Sequence, residues 1–196
     1  MRRRVAVLIS GTGSNMLRLI EDMDEPDHPG KPVLVLADRT EAAGLAKAAA
    51  SGVPQAAVPF AGGKERFERA LTEHLEAAGT EFICLAGFMR ILSPAFVAAW
   101  PGRILNIHPS LLPAFRGLHT HARVLAAGAA VHGATVHEVT SDLDGGPILG
   151  QAVVEVMPDD TPESLAERVQ AVEHRLYPAV LRRHLRGDLR PIALLP

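Results

Sequence analysis

Asn106 and His108 stand one residue apart near the end of an apolar run, Ile104-Leu105-Asn106-Ile107-His108, and Pro109-Ser110-Leu111-Leu112-Pro113 follows at once. Side chains alternate faces along a strand, so the Asn106 amide and the His108 imidazole project one way while Leu105 and Ile107 project the other. A hydrogen-bonding amide beside a ring that can carry a proton suits proton transfer. The structural alternative is a satisfied polar pair closing a strand. Pro109 and Pro113 stiffen the exit, because each fixes its own φ and disfavours helix in the residue before it.

Two further stretches carry chemistry. Gly11-Thr12-Gly13-Ser14-Asn15 joins a strand to a helix. Glycines let the backbone approach an anion, and the amides of a helix N-terminus point at it with the favourable end of the dipole. A phosphate fits such a loop; a plain tight turn fits it too. Dinucleotide binding is the rival, because Asp38 follows the second strand where an acidic ribose ligand would sit, but Met16 stands where that fingerprint wants its third glycine. Ser141-Asp142-Leu143-Asp144-Gly145-Gly146-Pro147 is an acidic loop with a special backbone path. Its carboxylates suit a helix cap, a metal contact or acid-base work, and a solvated turn is the bland alternative. His119 and His121, with His132 and His137 about a strand, do not form a three-ligand metal spacing. Cys84, the single cysteine, lies in an apolar strand and reads as a core residue.

These residues need elements to hold them. Short β-branched runs alternate with longer helical patterns, the signature of a largely parallel sheet covered by helices. The patterns predict strands over 4–10, 32–37, 55–58, 81–85, 104–108, 131–139 and 148–156. Helices are predicted over 15–23, 42–50, 64–78, 94–99 and 121–127, with a last long one opened by Thr161-Pro162. Its core face is Leu165, Val169, Val172 and Leu176; Pro178 should kink it and Gly187 end it. The strands over 131–139 and 148–156 are close enough in sequence to pair antiparallel, which makes the sheet mixed.

At 196 residues the chain suits one domain, and a balance of 47% apolar and 21% charged residues is that of a globular protein. A formal charge of −2 provides no basic excess for nucleic acid. The apolar run after Arg2-Arg3-Arg4 is too short for an export signal, and no stretch approaches a membrane span. The expectation is a soluble cytoplasmic protein, monomer or homodimer.

Together, Ser10-Gly11-Thr12-Gly13-Ser14-Asn15, the stretch Leu85 to Ser93, Asn106 to Pro113, Gly117-Leu118-His119-Thr120-His121 and Leu143 to Pro147 resemble the phosphoribosylglycinamide formyltransferase family. The resemblance covers nearly the whole chain. It implies a Rossmann-like formyltransferase fold, an α/β architecture with a mostly parallel mixed sheet and helices on both faces. It also implies transfer of a formyl group from 10-formyltetrahydrofolate, as cosubstrate, to the amine of 5'-phosphoribosylglycinamide in purine synthesis, with no metal. The family's phosphate-binding half falls on about 1–100, and its folate-binding and catalytic half on about 101–196.

Carried over by residue, the catalytic trio falls on Asn106, His108 and Asp144. The amine substrate maps to Gly11, Thr12, Gly13, Ser14 and Asn15, with Glu173 and its neighbour Gln170. Folate maps to Met89, Arg90, Ile91 and Leu92, to Asn106, and to Thr140, Ser141, Asp142, Leu143 and Asp144. Lys64 stands near the folate where some members have arginine, and a lysine is a point charge rather than a fork. These roles agree with the residues' chemistry. Asn106 and His108 would stabilise a developing oxyanion, and an Asp144 carboxylate would favour a charged His108. Methionyl-tRNA formyltransferase shares the Asn-x-His and Ser-Leu-Leu-Pro elements and formyltetrahydrofolate hydrolase the catalytic trio, but both lack the Gly-x-Gly-Ser-Asn loop; a nonenzymatic sensor of folate or a phosphorylated ligand is a further alternative.

Overall fold

The structure is a computed structural model, and it describes residues 1–195. It is an α/β fold with a mixed eight-stranded sheet, in the strand order β3-β2-β1-β4-β5-β6-β7-β8, and helices on both faces. The chain divides into two compact units, Met1–Leu105 and Asn106–Pro196.

In the first unit β1 (Arg3–Ile9) leads to α1 (Ser14–Met23), β2 (Gly30–Ala37), α2 (Ala43–Ala50), β3 (Gln55–Ala57), α3 (Lys64–Ala77), β4 (Phe82–Leu85) and α4 (Pro94–Ala98). β1 pairs in parallel with β2 on one side and β4 on the other, and β2 with β3. A central strand of a parallel sheet has helices over both faces, so it reads as an unbroken apolar run. Val5 through Ile9 are accordingly all buried. α3 turns Phe67, Leu71 and Leu75 inward, as the helical spacing predicts. Ser93 caps α4 by accepting the Phe96 N–H, with Pro94 as the first helical residue.

β5 (Ile104–His108) contains the boundary, its last three residues starting the second unit, and is followed by α5 (Thr120–Ala126), β6 (Val131–Glu138), β7 (Ile148–Glu155), α6 (Pro162–Leu185) and β8 (Ile192–Leu194). β6 and β7 pair antiparallel, as their closeness in sequence suggests. Thr161 and Ser164 form a reciprocal capping box at the start of α6. Leu165, Val169 and Leu176 are buried on its inner face, while Val172 is only half-buried. Pro178 does not end α6, which runs on to Leu185. Buried Tyr177, Val180 and Leu181 surround the proline, so packing holds the helix through a residue that lacks an N–H. Gly187, at φ 80°, follows the C-cap residue Arg186. β8, absent from the predicted elements, adds three residues in parallel to β7; so short a strand has no readable period.

Candidate active site

Within the second unit, β5, β6 and the 141–147 loop bring four polar side chains together. Asn106 and His108 leave β5 on one face, as the period of two requires. His108 is 6% exposed. Its Nδ1 lies 3.5 Å from Asp144 Oδ2, and its Nε2 hydrogen-bonds the Phe115 carbonyl at 3.1 Å. Oxygen acceptors thus face both ring nitrogens, so a proton on either is received.

The fourth side chain is His137 on β6, which the sequence reading considered only as a metal ligand. Its Nδ1 meets the Glu138 carbonyl at 2.9 Å, so Nδ1 carries the hydrogen and Nε2 is the acceptor. Asn106 Nδ2 donates to that Nε2 at 3.1 Å. Burial lowers the His137 pKa, outweighing its own bond to Glu138 and the nearby Asp144 carboxylate, whose Oδ1 is 3.8 Å away. A neutral ring is what the acceptor role demands. His137 therefore sets which way the Asn106 amide points and leaves its second N–H available. The signal that could have found it is the face shared by Thr135 and His137 along β6.

Asp144 is placed by backbone. It adopts φ 50°, and its Oδ2 accepts the Gly117 N–H at 2.9 Å. The loop closes through Gly145 N–H to Asp142 O at 3.0 Å and Glu138 N–H to Pro147 O at 3.0 Å. A Cβ on Gly146 would lie 1.9 Å from the Glu138 carbonyl oxygen, which is why glycine stands there. Thr140, Ser141, Asp142 and Leu143 line the same loop. Asp142 pairs with Arg116 at 3.2 Å in the open, a weak contact in water. Leu143 is exposed.

The exit from β5 is held from outside. Thr135 Oγ1 donates to Ser110 O at 2.6 Å and accepts the Leu112 N–H at 3.0 Å, and Gln151 Nε2 donates to Leu112 O at 2.9 Å. The Leu112-Pro113 peptide is cis. In the same unit Glu173 is buried on α6, and Gln170, one turn earlier, is exposed.

The first unit holds the other predicted residues. Gly13 is the N-cap of α1 at φ 71°, and no side chain caps that helix. A Cβ on Gly13 would sit 3.0 Å from Gly44 Cα, so the loop after β1 is packed tightly on the start of α2. Gly11 and Thr12 are exposed, Ser14 half-buried and Asn15 buried. The same loop grips the predicted folate segment, because Ser10 Oγ accepts the Met89 N–H at 2.8 Å and Ser10 N–H donates to Gly87 O at 3.1 Å. Met89 and Ile91 project outward, Leu92 is buried, and Arg90 is half-buried. Lys64 is exposed at the first position of α3. Asp38 is not presented as a ribose ligand; it is buried and bonded to Arg90. A cavity of about 350 Å³ lined by Val58, Arg66, Phe67 and His74 contains none of the predicted residues.

Among the described residues no group of three or more histidine, cysteine or acidic side chains could hold a metal ion. No helix in them is long and apolar enough to cross a membrane.

Residues 3–181 match the formyl transferase family model. The chain is 47% identical over 191 residues to a trifunctional purine biosynthetic protein adenosine-3 of Bos taurus, matching 96% of this chain but spanning only 19% of that protein. It is 40% identical over 188 residues to the phosphoribosylglycinamide formyltransferase of Escherichia coli K12, covering 95% of this chain and 89% of the relative. The crystal structure of phosphoribosylglycinamide formyltransferase from Brucella melitensis superposes with a TM-score of 0.90 at 50% identity, covering 94% of this chain and 96% of that one. Sequence and fold agree: the chain belongs to the formyl transferase family, and within it to the phosphoribosylglycinamide formyltransferases.

Proposed function

We propose that the chain transfers a formyl group from 10-formyltetrahydrofolate to the glycinamide amine of 5'-phosphoribosylglycinamide, a step of purine biosynthesis. The observation that carries the reading is the cluster of Asn106, His108, His137 and Asp144, with one amide N–H of Asn106 oriented and one left over. The amine lone pair forms a bond to the formyl carbon, and the carbonyl electrons move onto oxygen. That oxyanion is stabilised by the remaining Asn106 N–H and by a His108 N–H. Nε2, now on the Phe115 carbonyl, is the His108 donor that a formyl oxygen would take over. The bond from carbon to the folate nitrogen then breaks. The amine nitrogen loses a proton and the leaving nitrogen gains one, so the balance is neutral and His108 can relay the proton.

Binding follows the same reading. The uncapped start of α1 with Gly11 to Asn15 receives the phosphate, and Glu173 with Gln170 the glycinamide part. Folate takes Met89 to Leu92, Asn106 and Thr140 to Asp144, with Lys64 nearby. The division into a phosphate-binding half and a folate-binding, catalytic half belongs to the proposal. So do a cytoplasmic location, a monomer or homodimer, and action without metal or nucleic acid.

The test mixes purified protein with 10-formyltetrahydrofolate, with and without phosphoribosylglycinamide, and follows folate release. Amine-dependent release is expected. Amine-independent release would make the protein a hydrolase, and binding without turnover a sensor. His108→Ala and Asp144→Ala should each cut turnover by about 10²-fold or more while melting normally; near-wild-type rates in both would overturn the assignment.

A further inference from the structure

The Asp38 carboxylate has no solvent exposure, and the proposed chemistry makes no use of it. It follows β2 directly. Its Oδ2 accepts Arg90 Nε at 2.5 Å, and its Oδ1 lies 3.6 Å from Arg39 Nε. A buried carboxylate is costly unless it is paired, so Arg90 is its main compensation. Arg90 is gripped a second time, because its guanidinium carbon lies 4.6 Å from the centroid of the Phe60 ring. Phe60 is itself fixed: its ring meets Phe67 edge-on at 5.1 Å, and its N–H donates to the Asp38 carbonyl at 3.1 Å.

The segment that carries Arg90 is pinned on either side. Met89 N–H reaches Ser10 Oγ, and both the N–H and the hydroxyl of Ser93 donate to the Glu68 carboxylate at 2.6 and 2.5 Å. Arg90 is thus held by its Nε edge and one face, which leaves the terminal edge, Nη1 and Nη2, outside both contacts. That edge is a planar fork matching the two oxygens of a carboxylate. Because the side chain is already ordered, binding through it incurs little further loss of rotamer freedom.

We infer that Asp38 is a positioning residue for the formyl donor: with Phe60 it fixes Arg90 so that the terminal guanidinium edge receives a carboxylate of the donor's glutamyl tail. This rests on the reading that Met89 to Leu92 bind the folate donor. The acidic residue after β2, which suggested a ribose ligand in sequence, then serves an anionic group through an arginine.

The experiment compares wild type, Asp38→Asn and Phe60→Leu with two donors, 10-formyltetrahydrofolate and its 10-formyltetrahydropteroate counterpart, which lacks the glutamyl group. Asp38→Asn should raise KM for the glutamyl donor roughly tenfold. Its kcat should stay within about twofold, with KM for the amine substrate and for the pteroate donor unchanged. Phe60 is 41% exposed, so Phe60→Leu should fold normally, and it should raise the glutamyl-donor KM about threefold. Thermal melts confirm that the variants are folded, and Kd values from calorimetry without amine repeat the comparison independently of turnover. Equal losses for both donors, an unchanged glutamyl-donor KM in both folded variants, or a wild type indifferent to the glutamyl group would overturn the inference. A wild type that binds the glutamyl donor selectively but releases no folate with amine overturns the formyl-transfer reading and leaves the Asp38 comparison to the Kd values.

Discussion

His137 shows how one ring nitrogen can set the geometry of a neighbour that we propose does the work. Its hydrogen is committed to the Glu138 carbonyl, burial keeps the ring neutral, and the free nitrogen then accepts from Asn106. Removing the acceptor frees the amide to rotate and leaves a buried donor unpaired, at a cost of about 1–3 kcal/mol. His137→Leu should therefore lower kcat about tenfold with smaller changes in either KM, and His137→Gln, which keeps an acceptor, should recover part of the loss. A fully active His137→Leu enzyme would show that Asn106 is held by other means. Asn106 and His108 were recognisable in sequence because their shared face follows from the period of a single strand. Their partner His137 lies 31 residues from Asn106, on a strand whose register is set by pairing.

At the scale of elements, the acidic loop after β6 is a rigid carrier for Asp144. Glu138 N–H bonds back to Pro147 O, and Gly146 passes too close to the Glu138 carbonyl for any side chain. The obstacle is backbone, so it cannot swing aside as a side chain would. Gly146→Ala is expected to destabilise the protein by about 1–3 kcal/mol and to lower kcat by roughly tenfold or more, since small displacements at a catalytic group are costly. Melting temperature and steady-state rates on the same preparation check both; an alanine enzyme with unchanged kcat would mean the loop tolerates a shift of Asp144. The special path was legible from the glycines and proline, and the starts of α4 and α6 from Ser93-Pro94 and Thr161-Pro162. The run of α6 past Pro178 towards Gly187 was legible too, whereas β8 was not, because a three-residue strand has no readable period.

The stability of the whole molecule should carry the mark of its buried imidazoles. His121 Nδ1 and His132 Nε2 hydrogen-bond at 3.1 Å, and burial lowers both pKa values, that of His132 to about 4. His137 is lowered as well. Each group binds its proton more readily in the unfolded chain, whose reference value is 6.5, so stability is complete above that pH and falls as pH drops towards about 4. The slope for one group reaches about 1.4 kcal/mol per pH unit. The carboxylates held low by arginines, such as Asp188 with Arg190 at about 2, titrate below this window. Melting midpoints should decrease from pH 7 to 4.5, and His132→Asn should flatten the decrease; a midpoint constant over that range would refute it. Sequence alone determined the alternation of strands and helices, the β5 face bearing Asn106 and His108, and the glycine-shaped loops, because these depend on neighbours within a turn or a pleat. Tertiary structure decided that Asp144 meets His108, that His137 orients Asn106, and that Asp38 serves Arg90. Those contacts span tens of residues and depend on strand register and burial, which no local pattern contains.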